Sequence, residues 1–359
     1  MFDFKAEEGT VRILGRTLFR DEVRWLGYAC TGIDFEFTGN NISVQLTTDW
    51  ENDAEWKHIF QPYMAVYING NAEPSKRFPV ENGTNCYSIY SSDKSETVRI
   101  TLLKLSENAF SKVGIASISA DGKIKPAAPV SERRIEFIGD SITCGFGIEA
   151  ESADEGFRTA TENSRINYAS LTARHFNSEY NLTSWTSIGV YSNSVKPDVN
   201  EPDDGWTMPK IYFYTDKATD GWLGNGEDKL EMWDFSRFAP QLIVVNLGTN
   251  DKDFTRGIKE RTDAFKEAYV RFISDVRNAN PNSYILCTLG TMGQELCLQI
   301  EEAVSILNDE KISFMPFEVQ LESDGIGAEM HPNKVTHRKM ADKLINEIER
   351  LVENGQLTF

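Results

Sequence analysis

The chain has 359 residues, 40% hydrophobic and 26% charged, with 37 Lys plus Arg against 55 Asp plus Glu and a net charge of −18. That length exceeds one ordinary core, so two domains are expected, and the composition is that of a globular protein. The acidic balance argues against nucleic acid as a partner, because phosphate binding needs a basic surface. No run approaches the roughly 18 apolar residues of a membrane helix, so no membrane partner is expected.

The first residues, Met1-Phe2-Asp3-Phe4-Lys5-Ala6-Glu7-Glu8, lack the basic start and apolar core of a signal peptide. The expected location is therefore cytoplasmic, or secreted if a signal has been removed. Five cysteines (Cys30, Cys86, Cys144, Cys287, Cys297) are odd in number and show no metal-ligand spacing, so they read as free thiols.

Residues from about 10 to 120 read as all-β. Gly32 to Phe37 alternates apolar and polar, Asn40-Asn41 reads as a turn, and Ile42 to Leu46 alternates again, which predicts a hairpin. Tyr63 to Ile68 runs into a second turn signal, Asn69-Gly70-Asn71. Thr97 to Leu102 and Val113 to Ile118 complete a set of short strands of the β-sandwich kind. Lys125-Pro126-Ala127-Ala128-Pro129 has linker composition. The domain boundary is placed there, giving 1–125 and 126–359.

From Arg134 onward strand alternates with helix. Arg134-Ile135-Glu136-Phe137-Ile138 is an apolar run ending on Gly139-Asp140-Ser141. It reads as a buried strand delivering a serine to its carboxyl end, where open α/β sheets bind ligands. Tyr168 to Phe176 suits a helix, and Ser184 to Ile188 a strand leading to Gly189. Gln241 to Leu247 is a third strand, ending on Gly248-Thr249-Asn250-Asp251. Phe265, Ala268, Tyr269, Phe272, Ile273 and Val276 recur at helical spacing. Tyr284 to Leu289 and Ile312 to Phe317 are further strands, with helices at Leu296 to Leu307 and Val335 to Val352. Apolar strands separated by helices imply a parallel sheet covered on both faces.

Ser141, Gly189 and Asn250 each follow a strand, and His331 lies in the loop before the last helix. Such loops converge on one edge of a parallel sheet. A serine there needs a base and an anion-stabilising site beside it to act as a nucleophile. The other histidines, His58, His175 and His337, read as surface or packing residues, and Cys144 as packing.

Gly139-Asp140-Ser141, the turn at Ser187-Ile188-Gly189, Gly248-Thr249-Asn250-Asp251 and His331-Pro332 resemble the four blocks of the SGNH (GDSL-type) hydrolases. With the preceding sandwich, Thr161-Glu162-Asn163, Thr207-Met208-Pro209 and Asp234-Phe235-Ser236, the chain resembles carbohydrate esterase family 2, whose members are acetyl xylan esterase-like. The resemblance implies a jelly-roll-like β-sandwich over 1–125. It implies a flavodoxin-like, three-layer α/β hydrolase domain with a parallel sheet over 126–359. It implies a carboxylic ester hydrolase that removes O-acetyl groups from xylan or xylo- and manno-oligosaccharides through an acetyl-serine, with no cofactor and no metal.

In that reading Ser141 attacks the ester and His331 takes its proton. The oxyanion is held by the Ser141 N–H, the Asn250 amide and a main-chain N–H at Ser187 or at Gly189. Two departures stand out. The turn reads Thr186-Ser187-Ile188-Gly189 where the family usually has Ser-Gly-x-Gly. The position three before the histidine is Ala328, and the acid two before it is Glu329. Glu329, Asp324 or a backbone carbonyl is left to orient His331. An aromatic-rich stretch from Tyr191 to Phe238 holds Trp206, Tyr212, Phe213, Tyr214, Trp222 and Trp233, which either shape a sugar cleft or bury themselves against the sheet. A lipid or thioester hydrolase, and a catalytically inactive carbohydrate-binding protein, are the alternatives. The oligomeric state is open.

Overall fold

The computed structural model describes residues 1–48 and 59–359, so His58 lies outside the described residues. The chain forms two units. The first comprises residues 1–129, 158–164 and 215–231; the second comprises 130–157, 165–214 and 232–359.

The first unit contains β1 (Phe2–Phe4), β2 (Arg12–Leu14), β3 (Leu18–Arg20), β4 (Val23–Leu26), β5 (Gly32–Thr48), β6 (Tyr63–Ile68), β7 (Lys76–Pro79), β8 (Gly83–Lys104), β9 (Val113–Ala120) and β10 (Lys123–Pro126). Every pairing among them is antiparallel. The main path is β3-β4-β9-β5-β8-β6-β7, with β1 on β9 and with β2 and β10 on β5. Strand β5 is its spine. One edge of it pairs with β8 from Gly32 to Thr48, and the other is shared in turn by β2, β10 and β9.

The predicted hairpin at Asn40-Asn41 is corrected here, because β5 continues straight through it. Ile33, Phe35 and Phe37 enter the core from odd positions, and Ile42, Val44 and Leu46 from even ones. The phase changes because the register shifts between Gly39 and Asn41. An extra residue in a bulge flips the alternation without reversing the chain. The Asp121 carboxylate clamps the bulge, accepting the Asn40 and Asn41 N–H groups at 2.9 and 3.0 Å. The turn signal at Asn69-Gly70 is realised, with φ of 54° and 75°.

Two later segments complete this unit. The Glu162 carboxylate accepts the Glu107 N–H at 3.1 Å, beside a buried Lys104 whose Nζ donates to the carbonyls of Gly27, Ser106 and Glu107. Trp222 packs edge-on against Trp25, with ring centroids 5.3 Å apart.

The second unit is built on five parallel strands: β11 (Arg134–Gly139), β12 (Glu179–Ser184), β13 (Leu242–Asn246), β14 (Tyr284–Leu289) and β15 (Ile312–Pro316). Their order, β12-β11-β13-β14-β15, is a doubly wound one whose switch point lies between β11 and β13. The α-helices among the described residues are α1 (Ser141–Cys144), α2 (Tyr168–His175), α3 (Met208–Ile211), α4 (Lys217–Trp222), α5 (Asp251–Thr255), α6 (Lys259–Ala279), α7 (Cys297–Leu307) and α8 (Lys334–Glu353), of which α4 belongs to the first unit. Ile138, Val245 and Cys287 face one way, against Phe265, Tyr269 and Phe272 of α6 and Ile300 of α7. On the opposite side Phe137 meets Tyr168 of α2, which also meets Phe317 and His337 of α8. Among the described residues no helix is long and apolar enough to cross a membrane.

Strand β12 ends where the predicted strand at Ser184 to Ile188 begins. Its letters are polar, yet Asn181, Thr183 and Ser184 are buried. Thr183 satisfies its hydroxyl on the neighbouring Glu136, which also receives the Tyr212 hydroxyl; both bonds are 3.0 Å. Polar pairs across a ladder thus replace the apolar run that sequence patterns detect. Tyr212 and Trp233 of the aromatic-rich stretch are buried, whereas Trp206 is 41% exposed beside Trp185.

His337 of α8 is fully buried. Its Nδ1 accepts the Tyr168 N–H at 3.1 Å, and its Nε2 has no hydrogen-bond partner among the described residues. Burial pulls its pKa down to about 3. An unfolded histidine titrates near ~6.5, so between those values the unfolded state binds the extra proton. The stability His337 contributes is complete above about 6.5 and is lost as pH falls toward 3, with a slope of about 1.4 kcal/mol per pH unit for one proton. His337→Asn keeps an acceptor for Tyr168 and should flatten the fall of urea-unfolding free energy between pH 6.5 and 4. Equal slopes in the two proteins would overturn this assignment.

Candidate active site

Strand β11 delivers Gly139, Asp140 and Ser141 at its carboxyl end, beside the switch point. A Cβ on Gly139 would lie 2.0 Å from Thr143 Oγ1, so glycine is required here by close approach. Asp140 caps α1, its Oδ1 accepting the Ile142 N–H at 3.0 Å. Ser141 is the first residue of that helix, so its own N–H has no intrahelical partner. Burial pushes the Asp140 carboxyl up to about 7, against the lowering effect of hydrogen bonds from Ile142 and Thr249.

His331 comes from the loop before α8. Its Nε2 lies 2.9 Å from Ser141 Oγ. Its Nδ1 faces two main-chain carbonyls, Ala328 O at 3.2 Å and Glu329 O at 3.1 Å. Carbonyls only accept, so Nδ1 carries the proton and Nε2 presents its lone pair to the serine hydroxyl. The backbone reaches this arrangement through two consecutive left-handed residues, Glu329 (φ 48°) and Met330 (φ 64°). The ring lies 4.1 Å from Phe146, centroid to centroid, and Phe146 stacks on Phe157.

Glu329 is one of the three groups expected to orient His331, and its carboxylate makes no hydrogen bond to the ring but acts on it through its charge. The carboxylate accepts the Phe157 N–H at 3.1 Å, and only the Glu329 carbonyl meets the imidazole. Asp324 pairs with Lys339 at 2.7 Å instead.

Asn250, at the start of α5, donates its Nδ2 to Ile188 O at 2.8 Å and lies 3.5 Å from Asp140 Oδ2. Of the two turn residues expected as oxyanion donors, Gly189 is engaged: its N–H is given to Asn193 Oδ1 at 3.1 Å. Its glycine identity has a packing cause, since a Cβ would lie 1.9 Å from Ser192 O. Ser187 is exposed with φ of 62°, and its N–H has no hydrogen-bond partner among the described residues.

Two residues escaped the sequence reading. Asn193 is the acceptor that removes Gly189 from the set of open donors. The buried Asp251 carboxylate accepts three successive N–H groups, from Val190, Tyr191 and Ser192. Burial pushes its pKa up to about 6, opposed by those bonds. An acid beginning a helix reads locally as a favourable end charge, and nothing in its neighbours reveals partners about sixty residues upstream.

A serine with an open N–H of its own, hydrogen-bonded to a neutral imidazole and near a buried amide, is a constellation suited to acyl transfer. Residues 135–344 match the family described as GDSL-like lipase/acylhydrolase, and the chain belongs to that family. Residues 13–129 match the carbohydrate esterase 2 N-terminal domain. A structure of a family two carbohydrate esterase from Clostridium thermocellum in complex with cellohexaose aligns with TM-score 0.82 at 30% identity, over 96% of this chain and 99% of that one. The protein is a member of carbohydrate esterase family 2. The cellulase/esterase CelE of Acetivibrio thermocellus is 32% identical over 90% of this chain, which spans 37% of CelE's length. An acetylxylan esterase / glucomannan deacetylase of Cellvibrio japonicus is 24% identical over 97% of this chain and 90% of its own.

Burial pulls His331 down to about 4, although hydrogen bonds to the Glu329 and Ala328 carbonyls work to raise it. Its imidazole resonances should therefore titrate near 4 in an NMR series. A midpoint at the ordinary ~6.5 would show that the ring is not desolvated as described.

Proposed function

We propose that this protein is a serine esterase that removes O-acetyl groups from plant cell-wall carbohydrates, xylan or xylo- and manno-oligosaccharides, through an acetyl-Ser141 intermediate. The observation that carries the reading is the 2.9 Å bond between His331 Nε2 and Ser141 Oγ, with the proton of Nδ1 held by main-chain carbonyls. The serine oxygen attacks the acetyl carbon as Nε2 takes its proton. The negative oxygen of the tetrahedral intermediate is met by the Ser141 and Ser187 N–H groups and by the Asn250 amide, which turns to it the hydrogen it otherwise gives Asp140 Oδ2 at 3.5 Å. Collapse expels the sugar oxygen, which receives the proton from His331. Water then repeats the sequence on the acetyl-serine and releases acetate.

Sugar as the alcohol partner is supported by the relatives, among them the Cellvibrio enzyme named for acetylxylan and glucomannan and the Clostridium structure with cellohexaose. In this reading residues 1–125 form a jelly-roll-like sandwich, and 126–359, apart from the segments 158–164 and 215–231 that join the first unit, form a flavodoxin-like hydrolase domain.

Aryl esters from acetate to octanoate, turned over by wild type beside Ser141→Ala, test the proposal. Fast acetate hydrolysis that declines steeply with chain length and is lost in the variant supports it. A preference for octanoate favours a lipid-ester hydrolase, and no turnover by wild type favours a carbohydrate-binding role. Asn250→Ala should lower kcat by about 100- to 1000-fold with little change in KM, the usual cost of losing one oxyanion donor. A change confined to KM would remove Asn250 from that role.

A further inference from the structure

We propose that Asp251 is a positioning residue for this reaction: its buried carboxylate ties the main chain of Val190 to Ser192 to the start of α5, and so fixes the Ser187–Ser192 turn against Asn250. The inference rests on the esterase reading above and adds a residue to it.

The tie is specific in its geometry. Asp251 Oδ1 accepts the N–H groups of Val190 (3.1 Å), Tyr191 (2.7 Å) and Ser192 (3.0 Å), and Oδ2 accepts Val190 again at 3.0 Å. Successive amides converging on one carboxylate form an anion-holding nest. The Asp251 side chain is fully buried. Among the described residues no cation pairs with it. Burying an unpaired charge is costly unless hydrogen bonds satisfy it. Asparagine would fill the same volume without that cost but could not accept on both sides. The charge sits where three N–H groups point.

What the tie controls is the neighbouring turn. The residue before Asp251 is Asn250, whose amide donates to Ile188 O at 2.8 Å. Two adjacent residues of α5 and its cap therefore grip the same turn at two points, Ile188 and Val190–Ser192. The turn has little slack. Gly189 has no room for a Cβ, which would meet Ser192 O at 1.9 Å and Asp251 Oδ1 at 2.9 Å. Ser194 N–H closes on Ser187 O at 2.9 Å. Ser187, held at φ 62°, is left with its N–H open. An oxyanion site works through donors already aimed where charge will develop. Loosening this turn should therefore cost transition-state binding and leave substrate binding intact.

The full chain with Asp251→Ala and with Asp251→Asn tests this on an aryl acetate. Active sites are counted by phosphonylation with p-nitrophenyl ethyl methylphosphonate, in which the Ser141 oxygen bonds to phosphorus, p-nitrophenolate leaves and His331 takes the proton. Per titrated site, kcat of Asp251→Ala should fall on the order of 100-fold with KM within about threefold. Asp251→Asn, which keeps one oxygen facing the three N–H groups, should recover about tenfold of that loss. The phosphorus-31 resonance of the Ser141 adduct, whose phosphoryl oxygen occupies the oxyanion position, should move in the alanine variant more than in the asparagine variant.

Unchanged kcat, a loss confined to KM, or equal losses in the two variants would overturn the role. Where Asp251→Ala does not fold, Asp251→Asn decides: a fall of kcat beyond about threefold at constant KM supports the tie, and a smaller one overturns it. A wild type that is phosphonylated yet hydrolyses no acetate loses only the proposed substrate, and the Asp251 comparison is then read from phosphonylation rates. A wild type that is not phosphonylated overturns both readings.

Discussion

The hydrogen bond from the Ser141 hydroxyl to His331 Nε2 joins residues 190 positions apart, and no local structure supports it. Everything else in the second unit bears on whether those two atoms stay 2.9 Å from each other. Strand β11 fixes one end through its ladders to β12 and β13. The other end hangs on a loop, so its stability has to come from packing and main-chain geometry. Two left-handed residues, the Phe146 ring and the Glu329 carboxylate on the Phe157 N–H supply it.

Holding the imidazole by carbonyls rather than by a carboxylate has an electrostatic consequence. A carboxylate beside Nδ1 would stabilise imidazolium strongly and raise the histidine's pKa. Carbonyl dipoles orient the ring and fix its tautomer, and with a smaller contribution from the charge of the Glu329 carboxylate they oppose desolvation only in part, so the base is pulled down to about 4. Such a group is neutral, with Nε2 free to accept, over nearly the whole working range of pH. Nearby, Asp140 and Asp251 show the opposite shift, up to about 7 and about 6, because burial disfavours their charged forms. The two acids meet main-chain N–H groups at the two sides of Asn250. Buried carboxyl groups in this region hold backbone, while the reacting side chains stay neutral.

Where sequence patterns fell short, the cause was each time a partner supplied from elsewhere. Asn40-Asn41 reads as a turn because the alternation breaks there, and a bulge breaks it equally well; Asp121 decides between them. Strand β12 is invisible to an apolar count because Thr183 pairs with Glu136 across the ladder. Gly189 reads as an oxyanion donor until Asn193 takes its N–H. Glu329 reads as an orienting acid until its side chain is found on Phe157.

The sequence alone determined the parallel sheet and the strand-end placement of Ser141 and Asn250, because apolar runs closed by glycine-bearing turns are local patterns that packing rarely overrides. It marked His331 by its place in the loop before the last helix and by the His331-Pro332 block. The tertiary structure decided which acceptor meets Nδ1, which N–H of the Ser187–Gly189 turn is left open, and that Asp251 gathers three amides. Each of these is a choice among hydrogen-bond partners far apart in the chain. A donor's address is written in the sequence, but the identity of its acceptor is set only when distant segments are packed side by side.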